Sequence, residues 1–369
     1  MANKKIGILT LQFSNNYGGF LQTYALYSAL LNLGYIPIIL DRRIYDKCNF
    51  FKKAYFKVAN YYIYRNFYRF REMYFKNITK PIYNDTLLTH ESSDFFAIIV
   101  GSDQVWRLKF TKEIGFGYNF FLDFVKNKNI RKISYAASFG TNKFDASESE
   151  LDKIRILLET FSAISVREAS GSVICRDYFN REALHVVDPT LLHPAKFYES
   201  IIDQSEIVNI NKTDFNVRYF LDFSESKIRL INIFCQISNF ELVNIYRSSN
   251  FDFSLKRDII PNKCHIFPSF SNWLWNIKNA HFILTDSFHG VVFCLIFNKE
   301  FVCIANKSRG TDRLISLFEM VGIENRFFDE NDEIDFSILF NNKIDYNIVN
   351  NNIEFYKNKS YEFLKKSLI

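Results

Sequence analysis

At 369 residues the chain is longer than one hydrophobic core usually serves, so two domains are expected. Its 48% hydrophobic and 23% charged residues are ordinary values for a soluble globular protein. The net charge of +6 is too small and too dispersed to argue for nucleic acid, and no zinc-finger or RNP-type pattern is present. No two of the six cysteines are spaced C-x-x-C, so neither a zinc site nor a redox pair is suggested. The apolar surroundings of Cys294 and Cys303 fit buried free thiols. Met-Ala-Asn-Lys-Lys leads into a strand without a cleavable signal, and no apolar run reaches the roughly 20 residues of a spanning helix. A reducing, cytoplasmic location is expected.

Along the chain, Ile6–Phe13 is rich in Ile and Leu and predicts a strand buried on both faces. Ser14–Gly19 reads as a turn-rich loop, Leu21–Leu33 as a helix with Gly34 at its C-terminal cap, and Ile36–Leu40 as the next strand. Residues 50–77 differ. Lys52, Lys53, Lys57, Arg65, Arg69, Arg71 and Lys76 are interleaved with Phe and Tyr, and only Glu72 is acidic. This predicts one or two basic, aromatic helices. They are either surface helices with a buried aromatic stripe or a peripheral membrane contact.

Strands follow at 95–100, 133–137, 163–166 and 184–187, with a helix around 148–161. The pattern restarts past Leu192. Strands are expected at 216–221, 241–246, 281–285 and 300–304, with helices at 227–238, 271–279 and 291–297, and a final helix at 353–368. Strands alternating with helices imply parallel sheets. The fold class is α/β, with two Rossmann-like domains facing across a cleft.

The richest stretch is Phe282–Gly290, where an apolar strand runs into Thr285-Asp286-Ser287-Phe288-His289-Gly290 and then into a helix. Ligands of open α/β sheets bind beyond the carboxyl ends of strands. A helix start there points N–H groups at an anion. His289 is either a proton donor and acceptor near neutral pH or a residue capping the helix.

Seven blocks in order resemble the polysaccharide pyruvyl transferase family, over about residues 6–325. They are Ile6-Gly7-Ile8-Leu9-Thr10 with Asn15–Gln22, Val100–Trp106, Tyr135–Gly140, Ser165–Glu168, Val187–Leu192, Trp273-Leu274 and Thr285–Gly290. The resemblance implies a GT-B-like fold. It divides the chain into an N-terminal Rossmann-like domain at 1–195, carrying the insert 50–77, and a C-terminal one at 196–345. The helix in 346–369 is expected to pack back on the N-terminal domain. It also implies transfer of a pyruvyl group from phosphoenolpyruvate onto two hydroxyls of a cell-surface polysaccharide or its lipid-linked precursor, as a ketal. Phosphoenolpyruvate is the donor substrate, and no cofactor or metal is implied.

That chemistry needs cations for the donor, a proton donor, and acceptors that orient sugar hydroxyls. His289 and Asp286 are the catalytic candidates. Arg167 suits a bidentate grip on phosphate or carboxylate, or else pairs with Glu168 or Asp188. Some family members carry Arg two residues before the His. Ser287 stands there in this chain, so Lys307, Arg309 and Arg313 are considered as substitutes in the donor site. Asn15, Asn16, Tyr17 and Gly18, with Asp103 and Gln104, are acceptor-binding candidates. Trp106 and Trp273 fill the core or stack on a sugar. The opening loop is not G-x-G-x-x-G, so a dinucleotide site is not supported. A nucleotide-sugar glycosyltransferase and a non-catalytic glycan-binding protein of the same fold are the alternatives.

Overall fold

Short runs of Ile, Val and Leu without polar alternation form strands covered on both faces, as in parallel sheets flanked by helices. The computed structural model describes residues 4–44, 64–207, 214–222, 224–246, 264–305 and 310–369. The first half holds β1 (Lys5–Leu9), β2 (Ile36–Ile39), β3 (Ala97–Val100), β4 (Arg131–Ala137), β5 (Ala163–Val166) and β6 (Leu184–His185). The second holds β7 (Phe215–Tyr219), β8 (Glu241–Tyr246), β9 (Cys264–Ile266), β10 (Phe282–Thr285), β11 (Glu300–Ala305) and β12 (Phe327–Asp329). Among the described residues they make two six-stranded sheets, ordered β2-β1-β3-β4-β5-β6 and β12-β11-β10-β7-β8-β9. Every pairing is parallel. The fold is α/β with two Rossmann-like halves.

The helix expected from Leu21 begins four residues earlier, as Tyr17–Asn32. Gly18 and Gly19 occupy its first turn, where turn-forming residues had suggested a loop. Tertiary packing outweighs their poor helix propensity. The helices Ala169–Phe179 and Asp312–Val321 had no clear sequence signal. The first opens on Ala-Ser-Gly-Ser, which favours no helix by itself. The last helix is longer than expected, Tyr346–Ser367, because Asp345 caps it by accepting from the N–H groups of Asn347 and Ile348.

One hydrophobic core runs through both halves, from Ile6, Ile99 and Tyr135 to Phe215, Val217 and Ile283. Its central joint is aromatic. Tyr17 stacks on Trp273 at 5.5 Å, and Phe270 lies 4.0 Å from Phe70 and 5.3 Å from Phe67. The Tyr17 hydroxyl donates to the Pro268 carbonyl at 2.6 Å, and Asn66 donates to that of Phe267 at 2.8 Å.

Phe67 and Phe70 belong to the described part of the basic-aromatic stretch, a helix at 64–74; residues 50–63 lie outside the described residues. Two of its cations are paired, Arg71 with Asp41 at 2.8 Å and Arg69 with Glu206 at 2.6 Å. No described helix is long and apolar enough to cross a membrane. The C-terminal helix bridges the halves. Ser360 accepts from the Val187 N–H at 3.0 Å, Tyr35 donates to the Leu368 carbonyl at 3.1 Å, and Asn352 donates to the Val321 carbonyl at 3.2 Å.

Truncating a buried aromatic removes transfer energy and leaves a cavity. Phe270→Ala is therefore expected to cost about 3–5 kcal/mol in urea unfolding. Ile156→Ala, on the exposed face of its helix, should change stability by no more than about 0.5 kcal/mol.

Candidate active site

The strand order of each sheet reverses once, between β1 and β3 and again between β10 and β7. Loops leaving neighbouring strands diverge at such points and open a crevice at their carboxyl ends. The two crevices face each other across a cavity of about 480 Å³. Of the residues expected to bind ligand, Asn16, Asp103, Gln104, Ser287, His289 and Arg313 line it. Arg107 and Phe288, which the sequence did not single out, line it too.

Beneath the cavity lies a buried charge cluster. Asp188, just past β6, receives Arg167 Nη1 at 3.0 Å and faces His289 Nε2 at 3.6 Å. Its other oxygen accepts from the Thr190 N–H and hydroxyl, and Ser102 Oγ donates to the first at 3.2 Å. Arg167 also faces Asp103 at 3.5 Å. Burial alone would raise the Asp188 carboxyl, but His289 and then Arg167 hold it well below the usual carboxylate range. Burial works against Asp103 as well, yet Arg167, Arg313 and His289 keep its pKa lowered. Burial disfavours a charged Arg167, and Asp188 and Asp103 more than compensate. Glu168, which accepts from the Phe139 and Gly140 N–H groups, is pushed up by burial.

Local backbone aims these groups. Asp103 has φ +77°, a left-handed conformation that Asp tolerates better than most residues. This lets its carbonyl accept from Ser138 while its carboxylate accepts from the Gln104 N–H and faces Arg167. Ser287 caps the helix Phe288–Ile296 by accepting from the Gly290 N–H. That helix start carries His289 onto the first turn of Tyr17–Asn32, where a methyl group on Gly18 would overlap ring atom Nδ1. His289 Nε2 has no hydrogen-bond partner among the described residues.

Five of the expected residues, Asn15, Tyr17, Gly18, Arg167 and Asp286, do not line the cavity. Asp286 is turned away from His289. It is buried against Lys227 Nζ at 2.7 Å and accepts from the Leu221 and Asp222 N–H groups. Burial pushes its carboxyl up to about 7. The carboxylate facing His289 is Asp188 instead. Tyr17 lies in the aromatic joint rather than in an acceptor site, because its ring is worth more buried than wet. Asn15 is buried and does not line the cavity. Gly18 takes part as the floor under His289, and Arg167 sits behind Asp103. Lys307 and Arg309 lie outside the described residues. Trp106 donates to the Phe120 carbonyl and stacks on Phe121, and Trp273 is buried in the joint, so both belong to the core. Asp188, expected only as an alternative partner of Arg167, does pair with it, and its signal as a site residue is a polar residue just past a strand, as at Asp103 and Arg167.

Two Rossmann-like halves with a polar cleft between their strand ends define the GT-B class of fold. The chain is similar over 99% of its length to 98% of Arabidopsis thaliana UGT89C1 complexed with UDP, at TM-score 0.53 and 9% identity. It is similar over 100% of both chains to the glycotransferase of kitacinnamycin, at TM-score 0.50 and 8% identity. The Neisseria meningitidis UDP-GlcNAc 2-epimerase bound to UDP-GlcNAc matches at TM-score 0.50 and 7% identity, over 99% of each chain. At such identities the likeness concerns the fold alone. No curated protein sequence matches. The sequence model of polysaccharide pyruvyl transferases matches residues 16–308, and the chain belongs to that family.

A carboxylate with a depressed folded-state pKa stabilises above its unfolded value, about 4 for Asp. That contribution is lost as pH falls through the lower folded value. Asp188→Ala also strands the buried guanidinium of Arg167. It is expected to cost about 3–5 kcal/mol at neutral pH. Urea midpoints of wild type and variant should converge as the pH is lowered into the acid range.

Proposed function

We propose that this protein moves the pyruvyl group of phosphoenolpyruvate onto a pair of hydroxyls of a cell-surface glycan or its lipid-linked precursor, forming a cyclic ketal and releasing phosphate. The observation that carries the reading is the cross-domain cluster. The second half contributes His289, with Nε2 left without a hydrogen bond. The first contributes the Arg167–Asp188 pair that faces it.

In this reading His289 protonates the donor's methylene carbon, with Asp188 stabilising the imidazolium before the transfer. The adjacent carbon becomes electrophilic, and a sugar hydroxyl adds to it while passing its proton to a carboxylate such as Asp103. The second hydroxyl then displaces phosphate, which leaves with the proton held by Asp103, and closes the ring as its own proton returns to His289. Arg313 and Ser287 meet the donor's anionic groups, and Arg167, behind Asp103, adds positive charge beneath them. Asn16, Gln104 and Asp103 orient the acceptor. Fixed charges in a site held by two domains need no reorganisation at the moment of reaction. Work at the cytoplasmic face of the membrane, with contact through 50–77, goes with a lipid-linked acceptor.

Phosphate release from phosphoenolpyruvate with a panel of glycosides tests the reading. His289→Ala should lower the rate by about 10²–10⁴-fold. Thermal stabilisation by nucleotide sugars and not by phosphoenolpyruvate would overturn it.

A further inference from the structure

The turn after β3 brings two polar side chains to the cavity wall of the first half. Trp106 anchors that turn in the core. Its backbone N–H donates to the Ser138 carbonyl and its indole N–H to that of Phe120. Gln104 and Arg107 flank it in the chain, and both line the cavity. They are tied to each other twice. The Arg107 N–H donates to the Gln104 carbonyl at 3.3 Å, and Arg107 Nη1 donates to Gln104 Oε1 at 3.1 Å. A guanidinium can only donate, so the amide atom facing it is the oxygen. Gly140 leaves room for that oxygen, which a methyl group there would overlap. The Gln104 amino group remains as a donor, and so do the other N–H groups of Arg107. Among the described residues no carboxylate pairs with Arg107, whose side chain is held by Gln104. Phe110 and Ile114 also line the cavity, three and seven residues on, the spacing of one helix face.

We propose that Arg107 sets acceptor specificity by receiving an anionic group that the acceptor carries beside its reacting hydroxyls. A sugar carboxylate and a phosphate linkage share that chemistry. The proposal rests on the pyruvyl-transfer reading and adds to it the class of acceptor. A reacting hydroxyl must give up its proton, and a guanidinium cannot accept one. The charge of Arg107 therefore suits a part of the acceptor that does not react. Its paired N–H groups match the oxygens of a carboxylate or phosphate. The donor's anionic groups are met from the second half, by Arg313 and Ser287. Arg107 belongs to the first half, on the same turn as Asp103 and Gln104. Phe110 and Ile114 add apolar surface for the C–H face of a sugar, as ligand pockets commonly combine apolar walls with a few placed polar groups.

The test uses the full chain and soluble acceptors that share one reacting sugar. That sugar is joined to a uronate, to a neutral sugar or to a short alkyl diphosphate. KM and kcat are read from phosphate release for wild type, Arg107→Gln and Arg107→Lys, all checked for folding by circular dichroism. Arg107→Gln keeps a donor for Gln104 and removes the charge. It is expected to raise KM for an anionic acceptor about tenfold, the scale of a lost hydrogen bond to a charged group. KM for the neutral acceptor and for phosphoenolpyruvate should change less, and Arg107→Lys should keep most of the preference. Whichever anionic acceptor loses more identifies the carboxylate or the phosphate as the group received. A wild type that prefers neither anionic acceptor over the neutral one would overturn the proposal, whether or not the variants fold. An equal rise in KM for neutral and anionic acceptors, or a rise confined to phosphoenolpyruvate, would do the same. Each of those results requires turnover of phosphoenolpyruvate with a glycoside, and so leaves the pyruvyl-transfer reading standing. No phosphate release with any of the acceptors would overturn both.

Discussion

The carboxylate of Asp188 is the constraint on which the rest of the site depends. It lies in the first half of the chain, fully buried, and faces a guanidinium from its own half and an imidazole from the other. A buried carboxylate without partners would be too costly to keep charged. This one is supplied with Arg167, Thr190, Ser102 and His289. The same contacts that make its burial tolerable also hold His289 over the cavity, so charge compensation and site assembly are one arrangement.

The two halves can approach that closely because glycine sits where they touch. Gly18 leaves room for the His289 ring on the first turn of its helix. On the other side of the site Gly310, at φ +79°, meets the backbone carbonyl of Gly140, and no side chain fits between them. The Tyr17–Trp273 and Phe70–Phe270 contacts fix the joint beneath. The helix at 64–74 thus spends its aromatic side chains on holding the halves together, and its neighbours Tyr68 and Met73 remain exposed. Over its described part, the stretch read either as a surface helix with a buried aromatic stripe or as a membrane contact is a strut between domains.

Asp286 shows how chain proximity misleads. It stands three residues before His289, yet the end of a strand and the first turn of a helix point in different directions. Its carboxylate enters the second half's own polar network with Lys227 and the backbone of Leu221 and Asp222. There it anchors the loop after β7, which borders the cavity through Leu221. Asp188 is about a hundred residues away and supplies the carboxylate that faces His289.

The sequence alone determined what depends on local pattern. Unbroken apolar runs marked β3 and β10 as strands buried on both faces, their alternation with helices gave parallel sheets, and polar residues after those strands marked the ends where ligands bind. Ordered motif blocks pointed to the family. Only tertiary structure decided which polar strand ends share one space. Asp188, Arg167 and Asp103 meet His289 because two sheets confront each other at their switch points. Such contacts join residues far apart in the chain, and neither hydrophobic periodicity nor spacing carries information about them.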